Sequence, residues 1–167
     1  RPGFELENLT PKWLSQLLFD DIPWLKKAQQ EHDDFKALLM SHGVEVIYLE
    51  NLVSESLHNE KVRTQFIDQF IEEADVISAS IKKRLKEYLV KLDTLSMVKV
   101  TMAGIPKTEL KTTRNLSLFE HIDDYPFVTD PMPNLYFTRD PFSIIFHGVS
   151  IHKMKNQVRA PETIYGE

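Results

Sequence analysis

Apolar residues near the start of the chain recur at intervals of three and four, which is the spacing of an amphipathic helix. Thr10 before Pro11 predicts a helix start, and Asp21-Ile-Pro23 predicts the start of a longer helix. The apolar face of the longer helix is predicted to contain Leu25, Ala28, His32, Phe35 and Leu39. Gly43 is placed to end it, because glycine readily adopts the left-handed conformation of a C-terminal cap.

The next apolar run predicts a strand, after which the pattern becomes helical again. This run, typical of a short and mostly buried strand, consists of Val44, Val46, Ile47 and Leu49. From residue 51 to 108 the apolar residues again recur at helical spacing, with Lys and Glu on the other faces. They include Val62, Phe66, Phe70, Ile77, Ile81, Leu85, Leu89, Leu95, Val98 and Met102. We therefore expect a helical bundle without strands, inserted into an α/β fold.

Residues 130–141, called the proline segment below, contain three prolines, which interrupt regular structure. The segment is predicted to be a shaped loop around a short extended piece, Leu135 to Thr138. Such a loop can aim several side chains at one point. Those side chains are Asn134, Phe137, Arg139 and Asp140. The alternative is a plain turn with a local ion pair between Arg139 and Asp140.

The last part of the chain predicts a hairpin and then a helix. Residues 143–146 and 149–152 flank the dipeptide His147-Gly148 at hairpin spacing, and Gly148 is expected to supply the positive φ of the turn. Pro161-Glu162-Thr163 reads as a helix start. Short acidic clusters are usually solvated turns, so His121 beside Asp123-Asp124 is not interpreted as a metal site.

Composition narrows the function classes. The formal charge of −5 gives no basic footprint for nucleic acid, and the basic run at residues 82–86 is expected to be a solvated helix face. No apolar run approaches membrane-spanning length. Cysteine is absent, which excludes disulfides and a cysteine nucleophile within these 167 residues and is compatible with a cytoplasmic location.

The run PMPNLYFTRDP at residues 131–141 closely resembles the signature of arginine deiminases, cysteine-dependent enzymes that hydrolyse arginine to citrulline and ammonia. Other stretches resemble the same family, in order along nearly the whole chain. They are the opening at residues 1–11, residues 17–23, 31–35, 43–49 and 102–105, and the closing Gly148-Val-Ser-Ile and Arg159-Ala-Pro-Glu-Thr. The resemblance covers only the front portion of such an enzyme.

The resemblance implies an α/β propeller of ββαβ blades with an early helical insertion. We expect residues 1–50 to start the propeller, 51–108 to form the insertion, and 109–167 to continue the propeller with the proline segment. A partial propeller exposes strand edges and apolar faces. It therefore predicts a homo-oligomer or a complementary C-terminal chain as partner, with no nucleic acid and no membrane.

The resemblance also assigns roles to four residues, without metal or cofactor. Asp140 matches the carboxylate that holds the substrate guanidinium, and Phe137 matches a residue that flanks it. Asn134 and Arg159 match positions that bind the amino-acid end of L-arginine. The alternatives without a role in substrate binding are a local salt bridge for Asp140, a core position for Phe137, a loop-capping role for Asn134 and a solvated surface position for Arg159.

In the family a cysteine thiolate attacks the guanidinium carbon, and a His-activated water hydrolyses the covalent intermediate. This sequence has no cysteine, and none of its histidines matches the catalytic one. The chain is therefore predicted to be inactive alone. The alternative is a non-catalytic binding or structural protein derived from a truncated deiminase.

Overall fold

The computed structural model describes residues 1–110 and 124–167, and its first part is helical. Helix α1 spans Phe4–Glu7, a 3₁₀ helix spans Pro11–Trp13, and α2 spans Leu25–Ser41. Four leucines bury themselves between these elements as a small core. They are Leu6, Leu9, Leu17 and Leu25. The predicted start after Thr10 is present, although the helix is only a 3₁₀ turn and the Thr10 hydroxyl does not cap it. The longer helix begins two residues after Pro23, so its start predicted at Asp21-Ile-Pro23 is displaced.

Helix α2 ends where the sequence predicts, in a left-handed glycine cap. Gly43 has φ +77°, its N–H donates to Met40 O at 3.0 Å, and Val44 N–H donates to Leu39 O at 3.1 Å. These two bonds form a Schellman motif, which satisfies carbonyls at the helix end. The prediction of a helix terminated at Gly43 is confirmed.

The predicted strand after Gly43 is wrong. Residues 44–48 form no strand, and Leu49 instead begins helix α3, Leu49–Ser56. Val44 is 46% and Ile47 is 62% exposed, so the run is not buried either. A short apolar run has the same pattern in a strand and in an extended link between helices, and only its packing partners distinguish the two.

The predicted helical bundle is present. After α3 come α4 at Glu60–Glu73, α5 at Ala79–Val90 and α6 at Thr94–Ala103. Asn59 and Asp93 cap α4 and α6 by accepting hydrogen bonds from backbone N–H groups of the first turn. The main core lies between these helices and includes Phe66, Ile67, Phe70, Leu85, Leu89, Met97 and Val98. Each such buried side chain contributes about 2 kcal/mol through the hydrophobic effect.

One feature of the bundle region contradicts the prediction that it contains no strand. Strand β1, Ile105–Pro106, pairs antiparallel with β2, Phe127–Thr129. Gly104 lies between α6 and β1 with φ +80°, and a Cβ there would lie 2.5 Å from the backbone nitrogen of Pro131. Only glycine allows this close approach, so Gly104 fixes the proline segment against the end of α6.

The predicted hairpin is present, but its turn differs. Strand β3, Phe142–Ile145, pairs antiparallel with β4, Gly148–Ile151, and Ile145 lies opposite Gly148. The two-residue loop is therefore Phe146-His147, and Phe146 carries the positive φ of +53°. The expectation that Gly148 supplies the positive φ is wrong, because Gly148 belongs to the strand.

The final element is a 3₁₀ helix, Gln157–Gly166, which begins four residues before the predicted start and has Pro161 in its interior. Tyr165 anchors it by packing edge-on against Phe66 and by donating to Thr101 Oγ1 at 2.8 Å. The described residues thus form a mixed α/β structure with two separate two-stranded sheets. Within ranges 1–110 and 124–167, no helix is long and apolar enough to cross a membrane.

Candidate functional site

The proline segment has a rigid backbone, although part of it is helical rather than extended. A 3₁₀ helix spans Pro133–Tyr136 and a turn follows at residues 138–140, so the predicted extended piece from Leu135 to Thr138 is wrong. Pro133 occupies the first turn of that helix, where its missing N–H costs nothing. Met132 N–H donates to Met102 O at 2.9 Å, and this bond ties the segment to α6.

Asn134 is buried at the base of this segment, with 9% of its surface exposed. Its Nδ2 donates to the carbonyl oxygen of Leu17 at 2.9 Å. The side chain therefore joins the proline segment to the loop before α2, across 117 positions of sequence. Such a bond between a buried amide and a backbone carbonyl fixes the segment, because either group left unpaired would be costly.

Asp140 lies at the exit of the segment and is held through its backbone. Asp140 N–H donates to Phe137 O at 2.9 Å, and Asp140 O lies 2.7 Å from His152 Nδ1 in the region of the hairpin. The carboxylate itself is 48% exposed. The rigid backbone therefore presents a half-exposed carboxylate to solvent.

The carboxylate of Asp140 pairs with Arg159. Arg159 Nη1 donates to Asp140 Oδ2 at 3.0 Å, and Arg159 Nη2 lies 3.4 Å from Asn134 O. Within the part of the chain that the structure describes, Arg139 is exposed and makes no ion pair with Asp140. The alternative interpretation, a local ion pair between Arg139 and Asp140, is therefore wrong.

A second carboxylate, that of Glu162, holds the other side of the Arg159 guanidinium. Arg159 Nε lies 3.0 Å from both Glu162 oxygens, and Nη2 donates to Oε2 at 2.7 Å. Glu162 is 1% exposed, and burial raises the pKa of its carboxyl while Arg159 opposes the rise. In turn, the Glu162 carboxylate raises the pKa of Arg159.

Glu162 is the site residue that sequence reasoning missed. Glu162 follows Pro161, and this order suggested a helix start. Acidic residues are common in the first turn of a helix, so its presence there needed no further role. The available signal was its spacing of three from Arg159, which brings two side chains together on a helical turn. Burial of the pair depends on the packing of the last 3₁₀ helix and could not be read from that spacing.

Phe137 projects from the segment next to Asp140 and is 52% exposed. Its ring packs edge-on against Tyr136 at 5.7 Å, and Tyr136 packs in turn against His32 at 6.1 Å. Phe137 is therefore not a core residue, and one aromatic surface remains available to a ligand.

The four predicted residues come together, but they do not line the cavity found next to them. That cavity has a volume of about 240 Å³, and residues of both the proline segment and the last 3₁₀ helix line it. Its lining includes Glu73, Asp75, Thr129, Asp130 and Gln157, and none of the four. Asp130, whose carboxylate accepts a hydrogen bond from Tyr125, has a pKa raised by burial.

No set of three or more His, Cys, Asp or Glu side chains among residues 1–110 and 124–167 is arranged to hold a metal ion. His121 and Asp123 lie outside the described residues. His32 is packed between two tyrosine rings. Neither of its ring nitrogens has a hydrogen-bond partner among the described residues.

Similarity to known proteins extends along nearly the whole chain. Residues 15–167 match the arginine deiminase family. The whole chain is 50% identical over 171 aligned residues to an arginine deiminase of Streptococcus agalactiae serotype Ia, and 51% identical over 170 residues to one of Clostridium perfringens. A relative from Bacillus cytotoxicus, also named arginine deiminase, is 46% identical over 168 residues. The chain covers 41–42% of the length of these relatives. By sequence over nearly all of its length, this chain belongs to the arginine deiminase family.

Proposed function

We propose that this chain supplies part of the substrate site of an arginine deiminase, which converts L-arginine and water to L-citrulline and ammonia. The observation that carries the proposal is that Asp140 already binds a guanidinium in this structure, that of Arg159 at 3.0 Å. A half-exposed carboxylate on a rigid backbone is suited to exchange one guanidinium for another. The family membership supports L-arginine as the substrate, and we propose a cytoplasmic location.

The roles of the four residues follow from their chemistry. Asp140 is the catalytic residue that holds the substrate guanidinium, and the exposed ring of Phe137 flanks that planar cation. Arg159 binds the α-carboxylate of the substrate. Asn134 has its Nδ2 committed to Leu17, so its Oδ1 is the atom that we assign to the ammonium group of the substrate.

Substrate binding in this arrangement is an exchange of ion pairs. Asp140 and Arg159 neutralise one another at 3.0 Å in the unliganded site. An arginine molecule carries the same two groups, a guanidinium and a carboxylate. Its guanidinium replaces Arg159 Nη1 on Asp140, and its carboxylate accepts the hydrogen bond that Nη1 releases. No charge is left unpaired by the exchange, which keeps its desolvation cost low.

The chain supplies only part of the catalytic machinery. It contains no cysteine, so the thiolate that attacks the guanidinium carbon comes from elsewhere. We therefore expect the chain to form no citrulline alone and to require a complementary chain that brings the cysteine and the histidine. In that assembly residues 1–50 and 109–167 belong to an α/β propeller, with residues 51–108 as its helical insertion.

A non-catalytic binding or structural role is the second candidate. One observation favours it: Asp140 is paired with Arg159 and does not line the cavity of about 240 Å³. In that case the ion pair only fastens the last 3₁₀ helix to the proline segment. This role predicts that changing Asp140 affects stability and leaves arginine binding unaffected.

Titration of L-arginine into the folded chain, followed by NMR or calorimetry, separates the two candidates. Asp140→Asn removes the charge but keeps the volume, and we expect affinity to fall about tenfold or more because a charged hydrogen-bond pair is lost. Asp68→Asn is the matched control: Asp68 is 53% exposed and paired with Lys86, far along the chain, and its change should leave arginine affinity unaltered. Equal affinity in the wild type and Asp140→Asn would contradict the proposed site.

A further inference from the structure

We propose that Glu162 is a positioning residue that fixes Arg159 for recognition of the substrate α-carboxylate. This inference rests on the proposed function and identifies a residue that acts through Arg159 without contacting the substrate. It starts from a difference between the two carboxylates that contact the Arg159 guanidinium: that of Glu162 is buried, and that of Asp140 is half exposed.

The contacts with the buried carboxylate of Glu162 fix the orientation of the Arg159 guanidinium. Nε and Nη2 of Arg159 share the two oxygens of Glu162 through contacts of 3.0, 3.0 and 2.7 Å. A planar fork bound through two nitrogens to one carboxylate can no longer rotate about its axis. Nη1 is therefore aimed at Asp140, which accepts from it at 3.0 Å.

The difference in exposure decides which of the two pairs can open. Glu162 is 1% exposed, so breaking its pair would leave a buried charge without a partner. Asp140 is 48% exposed, and water can solvate its carboxylate when the contact opens. The Glu162 contact is thus permanent, whereas the Asp140 contact is exchangeable.

The difference between the two ion pairs of Arg159 affects recognition of the substrate carboxylate. When the substrate guanidinium occupies Asp140, the released Nη1 stays at a fixed place and faces the incoming carboxylate. Without Glu162 the guanidinium of Arg159 could follow Asp140 or rotate into solvent, and recognition of the carboxylate would weaken. Glu162 therefore contributes to the binding of arginine but not to the binding of a guanidinium compound that lacks a carboxylate.

The test compares L-arginine with agmatine, its decarboxylated analogue, in Glu162→Gln. We expect the variant to bind L-arginine about tenfold more weakly, the effect of disturbing one charged hydrogen-bond pair, and to bind agmatine as the wild type does. Glu60→Gln is the matched control. Glu60 also pairs with an arginine three residues away, Arg63, but it is 85% exposed, so its change should alter neither affinity.

The outcomes separate this inference from the proposed function. If the wild type binds no L-arginine, the proposed function fails, and the role of Glu162 fails with it. If the wild type binds L-arginine and Asp140→Asn does not, the function stands. Equal losses for L-arginine and agmatine in Glu162→Gln, or no loss for either, would then overturn the positioning role alone.

A measurement on the wild type keeps the inference testable if Glu162→Gln does not fold. The Nε–H signal of Arg159 in ¹⁵N-labelled protein reports on the permanent pair, and the Nη signals report on the exchangeable one. We expect saturating L-arginine to shift the Nη signals while the Nε–H signal keeps its position and its protection from solvent exchange. A loss of that protection on binding would contradict the inference.

Discussion

His32 is a partly buried titratable residue, and neither of its buried ring nitrogens has a hydrogen-bond partner among the described residues. Its ring lies between those of Tyr48 and Tyr136, at 5.8 and 6.1 Å, and the latter residue belongs to the proline segment. Burial lowers the pKa of His32, and the positive charge of Arg1 lowers it further, whereas Asp33 and Glu50 act in the opposite direction. The neutral ring is therefore part of the packing that supports the segment.

We expect this histidine to destabilise the protein in mild acid. Because its pKa is lower in the folded state than its ordinary value of about 6.5, the unfolded chain binds more protons below that pH, and stability falls as pH decreases. The carboxyls of Asp130 and Glu162 have raised pKa values and act with the opposite sign. The contribution of His32 must therefore be isolated with a variant.

His32→Phe keeps an aromatic ring between the two tyrosines and removes the titration. Urea unfolding at pH 7 and at pH 5 should show that the wild type loses more stability on acidification than the variant. His58→Gln serves as control, because His58 is exposed and its ring nitrogen lies near the Glu55 carbonyl oxygen at 3.1 Å. The same acid-induced loss in wild type and His32→Phe would contradict this account of His32.

At the scale of elements, the helices were predictable and the links between them were not. The repeats at Phe66 and Phe70 and at Leu85 and Leu89 define faces on single helices, and the Gly43 cap is a local signal. By contrast, whether residues 44–48 form a strand depends on a neighbour with which to pair. The hairpin turn likewise depends on the register in which the two strands pair. Because Ile145 pairs with Gly148, the positive φ falls on Phe146 and not on Gly148.

The candidate site divides in the same way. Asp140, Asn134, Phe137 and Arg159 were found because they lie in stretches that resemble a known family. The contacts that join them could not be predicted. The Asn134 bond to Leu17 spans 117 positions, and the Arg159 bond to Asp140 spans 19. Such contacts follow from tertiary packing and leave no periodic pattern in the sequence.

The cap of α2 provides a test at this scale. Gly43→Ala places a Cβ at a φ of +77°, where L residues are strained, although no atom lies within 4 Å of that Cβ. We expect a loss of about 1 kcal/mol in the free energy of unfolding, measured in urea. Gly148→Ala is the control, since its φ is not positive and the nearest atom to its Cβ is 3.7 Å away. A smaller loss at Gly43 than at Gly148 would contradict the assigned cap.

At the scale of the whole molecule, the hairpin exposes several large apolar side chains. Phe146 is 95%, Ile144 is 78% and Val149 is 56% exposed, and the sheet has two strands within the described part of the chain. Exposed apolar side chains on an open sheet are typical of a surface that another chain covers. Because the chain covers 42% of the length of its S. agalactiae relative, the proposed complementary part of the enzyme is the partner that we expect there.

The central claim is that Asp140 is the guanidinium site of an arginine deiminase, and citrulline formation tests it most directly. The chain should be assayed with L-arginine alone, then mixed with the remaining part of the S. agalactiae relative, in wild-type and Asp140→Asn forms. We predict no citrulline from either part alone, citrulline from the wild-type mixture, and a loss of about tenfold or more with Asp140→Asn, since a charged substrate contact is removed. Citrulline from the unaided chain, or equal rates from the two mixtures, would contradict the account.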